Sequence, residues 1–388
     1  MKQKEAQLKT VAVFVSFSGD GGVERMVSNL AAGFLEEGYK VDFVLIKAKG
    51  AHLDSIPSGA RVINLGCRTW VSSLPGLIKY LRSERPTSLL AAKDRAGRAA
   101  LIARRVANVP TRVVLRLGMH LSQSLEGKTR LEKALRYYPM RLLYPWADGI
   151  IAVSEGVADD LAAVTQIPRS KISVLANPVI TPELHRLAAE DPANEWFSRA
   201  EPARIVAVGR LTRQKGFDVL LSAFAELLRH RRASLLILGE GPERQRLERQ
   251  AEKLGLRDRV HLPGFDPNPY SHMARADLFV LSSRFEGSPN ALKEALALGT
   301  PVVATDCRSG PGQILQNGRH GPLVPVEDPH ALAEAMERAL TSPPDRETLP
   351  RAVSDYTLRA SSRAYLRELG LEPSASEEYE HSNYAPSA

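Results

Sequence analysis

Short apolar runs alternate with longer amphipathic stretches along most of this chain. VAVFVS (11–16), VDFVLI (41–46), RVINL (61–65), TSLLAA (87–92), TRVVLR (111–116), GIIAVS (149–154) and KISVL (171–175) are rich in β-branched residues, and helical patterns lie between most of them. NPVITPEL at 177–184 then breaks the rhythm with prolines and no period. A second series follows in RIVAVG (204–209), SLLILG (234–239), RVHLP (259–263), LFVLSS (278–283), PVVATD (301–306) and GPLVPV (321–326). Helical stretches such as FDVLLSAFAELLR and PERQRLERQAEKLG separate its members. Repeated βα units predict an α/β fold of two Rossmann-like, doubly wound domains facing a central cleft. The expected layout is a first domain over 1–176, a linker over 177–203, a second domain over 204–349, a helix over 350–373 packing back toward the first domain, and a polar, disordered tail over 374–388.

Length and composition agree with a two-domain globular protein: 388 residues, 44% hydrophobic and 25% charged. No run of about 18 apolar residues predicts a membrane span. The N-terminus has lysines and a short apolar run without the cleavage site of a signal peptide, so the expected location is cytoplasmic. Cys67 and Cys307 offer neither a disulfide framework nor a metal cluster. Charge is unevenly spread. Residues 1–177 hold 26 Lys/Arg against 15 Asp/Glu, while residues 178–388 hold 26 against 29. The excess is concentrated at 79–141, with 15 basic and 4 acidic side chains, which predicts a face for an anionic partner: a membrane surface, an acceptor or nucleic acid.

In such domains the informative residues lie just after strands. RFEGSPNALKEALALG (284–299) places Glu286 and Glu294 around a helix start, with Ser288 expected as N-cap and Pro289 at the first helical position. The N–H groups of Asn290 and Ala291, with Leu292 in the same turn, make a seat for phosphate oxygens. Carboxylates beside such a seat repel phosphate but accept well from hydroxyl donors, which flank the diphosphate of a nucleotide sugar. Alternatively, Glu286 favours the helix dipole and Glu294 pairs with a lysine. In VAVGRLTRQKGFD (206–218) a strand ends at Gly209, and Arg210 and Lys215 follow in a glycine-bounded loop suited to a diphosphate leaving group. FSGDGGVERM (17–26) has Gly21 and Gly22 where backbone can approach a ligand, but matches neither the dinucleotide fingerprint nor the P-loop. LGEGPER (238–244) reads as a tight turn.

The ordered set GGVER, GRLTRQKG, LGEGP, LPGF, FEGSPNALKEALALGTPVVATD and GPLVPVEDP resembles the retaining family-4 glycosyltransferases of GT-B fold. The resemblance implies that Glu286 contacts hydroxyls of the transferred sugar, Glu294 the ribose, and Arg210 and Lys215 the diphosphate. It also implies that Gly21 and Gly22 form a loop facing that phosphate, and that anomeric configuration is retained without an obligatory metal. No Asp-x-Asp occurs in the sequence. His120 in RLGMHLSQ is the best match to a family histidine of the sugar pocket, the alternative being an ordinary loop histidine. ATDCRSGPGQIL resembles a subgroup that uses UDP-sugars for cell-surface polysaccharide.

LEKALRYYPMRLLYPWAD (131–148) mixes cations with Tyr, Trp and Leu in helical spacing, which suits a lipid headgroup surface. The plainer reading packs Leu135, Leu142 and Leu143 on the sheet. The expectation is thus a hexosyltransferase, peripheral at the inner face of the cytoplasmic membrane. It would take a nucleoside diphosphate sugar, UDP-linked by preference, to a glycan or lipid-linked acceptor of polysaccharide or lipopolysaccharide synthesis, with no cofactor. The rivals are a nucleotide-sugar epimerase of the same fold and a non-enzymatic nucleic-acid-binding protein; the latter gains no support from aromatic readout motifs, so no nucleic-acid partner is expected.

Overall fold

The computed structural model describes residues 9–17, 22–49, 53–125, 127–192 and 203–372, so Gly21 and the expected tail at 374–388 lie outside the described residues. The first sheet holds β1 (Thr10–Phe17), β2 (Lys40–Ala48), β3 (Arg61–Asn64), β4 (Ser88–Ala92), β5 (Arg112–Leu117), β6 (Gly149–Ala152) and β7 (Ile172–Val174), in the order β3-β2-β1-β4-β5-β6-β7. The second holds β8 (Arg204–Val208), β9 (Ser234–Leu238), β10 (Val260–Gly264), β11 (Leu278–Leu281), β12 (Val302–Thr305) and β13 (Leu323–Val324), in the order β10-β9-β8-β11-β12-β13. All pairs are parallel, as two doubly wound domains require.

The central strands are nearly continuously apolar because helices cover both sheet faces, while the edge strand β3, RVIN, is largely exposed. Along β1, Ala12 and Phe14 enter one core while Val11, Val13 and Val15 enter the other. Along β8, Ile205 and Ala207 face one core and Val206 the opposite one. Strand order reverses between β1 and β4 and again between β8 and β11, which puts the crevice of each domain beyond the C-terminal ends of those strands.

The chain passes between domains twice, and the passages run side by side. Tyr356 O accepts from Val179 N–H and Ile180 N–H, each at 3.0 Å, Leu358 N–H donates to Ile180 O at 2.9 Å, and Ile180 pairs with Thr357 in a parallel bridge. Within the stretch 177–203, Pro182–Ala189 is a helix, which the broken periodicity did not reveal. The side chain of Thr181 accepts from Leu184 N–H, proline is tolerated in the first turn, and Leu184 is buried in the second domain.

After the return crossing, the helix Leu358–Glu368 buries Tyr365 and Leu366 in the same core as Val27 and Phe34 of the helix Gly22–Glu36. A Cβ at Gly33 would lie 2.0 Å from Ser362 Oγ, so these helices touch through a glycine.

The helix Arg130–Leu143 begins with a capping box between Thr129 and Glu132. Leu131, Leu135, Tyr138 and Leu142 are 70%, 68%, 67% and 56% exposed, and their spacing makes one stripe. Packing on the sheet is therefore wrong for Leu135 and Leu142, because the helix turns Met140, Tyr137 and Leu143 inward instead. Among the described residues no helix is long and apolar enough to cross a membrane.

Candidate active site

Two loops at the C-terminal ends of β8 and β11 are fastened to each other. Arg284 N–H donates to Gln214 O at 2.8 Å, Gln214 Nε2 to Phe285 O at 3.0 Å, and Ser282 Oγ to Lys215 O at 2.9 Å. Gly216 has φ +63°, and a Cβ there would lie 2.1 Å from Ser282 O, so glycine is what lets the loops meet. The result brings Lys215 onto Glu286: Lys215 Nζ donates to Glu286 Oε1 at 2.6 Å, and Ser283 Oγ to the same oxygen at 2.7 Å. Gly209 lies against the aliphatic stem of Lys215, 3.0 Å from Cε at the position a Cβ would take. Arg210 is exposed, and its guanidinium makes no ion pair with the described residues.

The helix expected after Ser288 starts later, at Asn290, and runs to Ala297. Pro289 has ψ 107°, which is extended, and Ser288 caps nothing. Its Oγ instead accepts from Lys293 Nζ at 2.5 Å. Pro289 offers no side-chain acceptor, so the first-turn amides of Asn290, Ala291 and Leu292 stay available to an anion. The structure places Gly22 of the first domain beside this turn, since a Cβ on it would be 3.6 Å from Asn290 Nδ2. Asn290 Oδ1 accepts from Asn177 Nδ2 at 3.1 Å, and Asn177 Oδ1 from the buried Arg116 at 2.7 Å.

Glu294 is buried in the second turn of the helix and is reached from both domains. Tyr270 Oη donates to Glu294 Oε1 at 3.2 Å, and Arg25 donates to Tyr270 Oη at 2.8 Å while standing 3.9 Å from the carboxylate. Burial pushes the Glu294 carboxyl up, and the Arg25 guanidinium, the Tyr270 hydroxyl and the ammonium groups of Lys293 and Lys215 pull it back in part. One oxygen of each glutamate is thus engaged by protein donors, and the other has no protein donor among these contacts. That is the arrangement a pair of hydroxyl-accepting carboxylates needs.

His120 is buried at the end of β5, facing the second domain. Its Nε2 lies 2.6 Å from Ser309 Oγ, and its Nδ1 4.0 Å from Asp160 Oδ1. Burial raises the Asp160 carboxyl, but the His120 side chain and the donors on Ser122 and Leu121 outweigh it and leave the group below its usual range. His120 therefore lies at the domain boundary, against Ser309 of the second domain. Among the described residues no cluster of three His, Cys, Asp or Glu side chains could hold a metal ion.

Sequence reasoning located the loops but missed Arg25, Tyr270, Arg116, Asn177 and Lys293. Arg25 directly follows the GGVE stretch, and Lys293 interrupts the buried face of an amphipathic helix, so both left a signal. The others draw their meaning from contacts across the domains.

Residues 190–354 match the family described as Glycosyl transferases group 1, and residues 21–178 the Glycosyl transferase 4-like domain. One similar protein is the N-acetylgalactosamine-N,N'-diacetylbacillosaminyl-diphospho-undecaprenol 4-alpha-N-acetylgalactosaminyltransferase of Campylobacter jejuni, 29% identical over 86% of this chain and 90% of the relative. Another is the lipopolysaccharide core biosynthesis glycosyltransferase LpsE of Rhizobium meliloti, 28% identical over 92% and 98%. Among solved structures, HepE of Anabaena in complex with UDP superposes with a TM-score of 0.70 at 19% identity, over 92% of this chain and 98% of that one.

Proposed function

This chain belongs to the glycosyltransferases of GT-B fold, and from that premise we propose that it is a retaining, Glu-x7-Glu enzyme of polysaccharide or lipopolysaccharide synthesis, moving a hexose from a UDP-sugar to a lipid-linked or glycan hydroxyl. The observation that carries this reading is the grouping of Glu286, Lys215 and Glu294 around the open first turn of the helix Asn290–Ala297. A diphosphate on that turn lies within reach of amides that favour anions, and Arg210 and Lys215 oppose the charge that grows as the sugar–phosphate bond breaks. The free oxygen of Glu294 accepts from ribose, and that of Glu286 from the sugar. Gly22 lets backbone approach the phosphate from the first domain.

In this scheme the acceptor hydroxyl attacks the anomeric carbon on the face from which the diphosphate leaves. The new C–O bond forms as the old one breaks, and the hydroxyl proton passes to an oxygen of the departing phosphate. No step requires a metal, since fixed cations and amides take that part, so chelator-treated enzyme should keep its activity. His120, at the boundary, lines the sugar pocket from the first domain. The exposed stripe Leu131, Leu135, Tyr138 and Leu142 is flanked by Lys128, Arg130 and Lys133, which supports a cytoplasmic enzyme meeting its lipid-linked acceptor at an anionic bilayer. Thermal shift against UDP-, GDP- and ADP-sugars tests the donor assignment. A UDP-sugar should raise the melting temperature most, through binding to the folded state alone, and no response to any of them contradicts the reading.

A further inference from the structure

Lys293 is fully buried, which for an ammonium group demands a reason. It is on the donor helix, one residue before Glu294, yet it takes no carboxylate as a direct partner. Its Nζ donates to Ser288 Oγ at 2.5 Å and lies 4.3 Å from the centre of the Tyr356 ring. Ser288 belongs to the loop that leads into the anion seat. Tyr356 belongs to the return crossing, and its backbone oxygen is what Val179 and Ile180 of the outgoing crossing grip. Lys293 is therefore a polar side chain that joins the donor loop, through Ser288, to the hinge at Tyr356.

Charges of both signs surround it. Glu286, in the loop after β11, and Glu294, on its own helix, attract the ammonium, while Arg116 at the end of β5 in the first domain repels it. Lys215 is paired with Glu286 and so spends part of that carboxylate's charge. The hinge contributes the Tyr356 ring face and the exposed Asp355. Burial first, and Arg116 second, bring the amine down to about 7, against a normal value of 10.5. A group so placed gains or loses its proton according to whether a further anion arrives nearby.

We propose that Lys293 is a positioning residue for the donor: its ammonium ties the Ser288–Pro289 loop to the hinge at Tyr356, and a diphosphate seated on the adjoining helix turn holds the proton on it. Donor binding and the arrangement of the two crossings are then linked through one side chain. This rests on the donor reading above and adds to it a residue and a proton. Lys293 touches no reacting atom, so its loss acts on donor affinity and not on chemistry.

The test is calorimetric titration of UDP into the full-length protein at pH 8 in two buffers of different ionisation enthalpy. The terminal phosphate of UDP, with a pKa of about 6, is already ionised there and takes up no proton of its own. Wild type should take up most of a proton on binding UDP and none on binding uridine. Lys293→Met should abolish the uptake and weaken UDP by about tenfold, raising KM for the donor at unchanged kcat, as expected when a charge-assisted contact is lost. Lys293→Arg should restore affinity at pH 8 without restoring uptake, because guanidinium stays protonated. A variant that merely loosened the core would keep neither pattern. If Lys293→Met does not fold, the wild-type comparison of UDP with uridine decides alone. UDP binding without proton uptake overturns the Lys293 assignment and leaves the donor reading standing. Absence of binding by UDP, GDP and ADP overturns both.

Discussion

At the scale of single residues, the proposed site depends on two glutamates held inside the protein, Glu286 and Glu294. Glu294 is the more exposed to failure, because burial raises its carboxyl and the Arg25 guanidinium is the foremost charge that lowers it again. Arg25→Ala should raise that carboxyl further, so UDP affinity should fall at a higher pH than in wild type as the solution is acidified. A series of dissociation constants from pH 8 down to 5 checks the direction, and superimposable curves contradict it. Arg210, Lys215 and Glu286 could be picked out in the sequence because each follows a strand in a loop whose glycines and prolines mark it, and Glu294 because it lies on the helix that the last of these loops leads into. Lys293 could not be understood there. Its neighbours Ser288, Tyr356 and Arg116 come from three separate parts of the chain, and only the folded hinge brings them together. Ser288 shows the reverse error: a serine before a proline resembles an N-cap, but the lysine five residues on claims its hydroxyl.

At the scale of elements, the strands among the described residues were legible, since most are buried on both faces and write themselves as apolar runs between turn residues. The helix Pro182–Ala189 was not, because Pro178 and Pro182 in the stretch leading into it and its short length hide the period, and it is the Thr181 cap and burial against the second domain that sustain it. The C-terminal helix depends on a contact of another kind. Gly33→Val would drive a side chain into Ser362 and should destabilise the protein by about 1–3 kcal/mol, the usual cost of overpacking. Differential scanning calorimetry should show a lower melting temperature than wild type, and an unchanged one would mean that the helix does not depend on this approach.

At the scale of the whole molecule, the proposed transfer requires the two domains to meet. Gly287, next to Glu286, would place a Cβ 2.3 Å from Gly118 O of the first domain. Gly287→Ala should keep the domains slightly apart, leaving UDP affinity close to wild type while turnover falls by about 100-fold, the order expected from an ångström of misplacement. Steady-state kinetics alongside UDP titration separates the two effects. Loss of both together would assign Gly287 to the donor pocket instead. The basic first domain makes a second whole-molecule claim: Leu135→Asp with Leu142→Asp should reduce sedimentation with phosphatidylserine-containing vesicles at least tenfold while activity on a soluble acceptor is kept. Equal sedimentation would remove the stripe from the account.

The central claim is that Glu294 accepts hydroxyl hydrogens from the ribose of a nucleotide donor, and a double cycle of protein and ligand addresses it most directly. UDP and 2′,3′-dideoxy-UDP are titrated calorimetrically into wild type and Glu294→Ala. Removing the ribose hydroxyls should weaken binding to wild type by about 10- to 100-fold, as for hydrogen bonds to a charged group, and should cost nothing further in the variant. Equal losses in both proteins would mean that Glu294 and the ribose do not meet, and the donor site would have to be sought elsewhere.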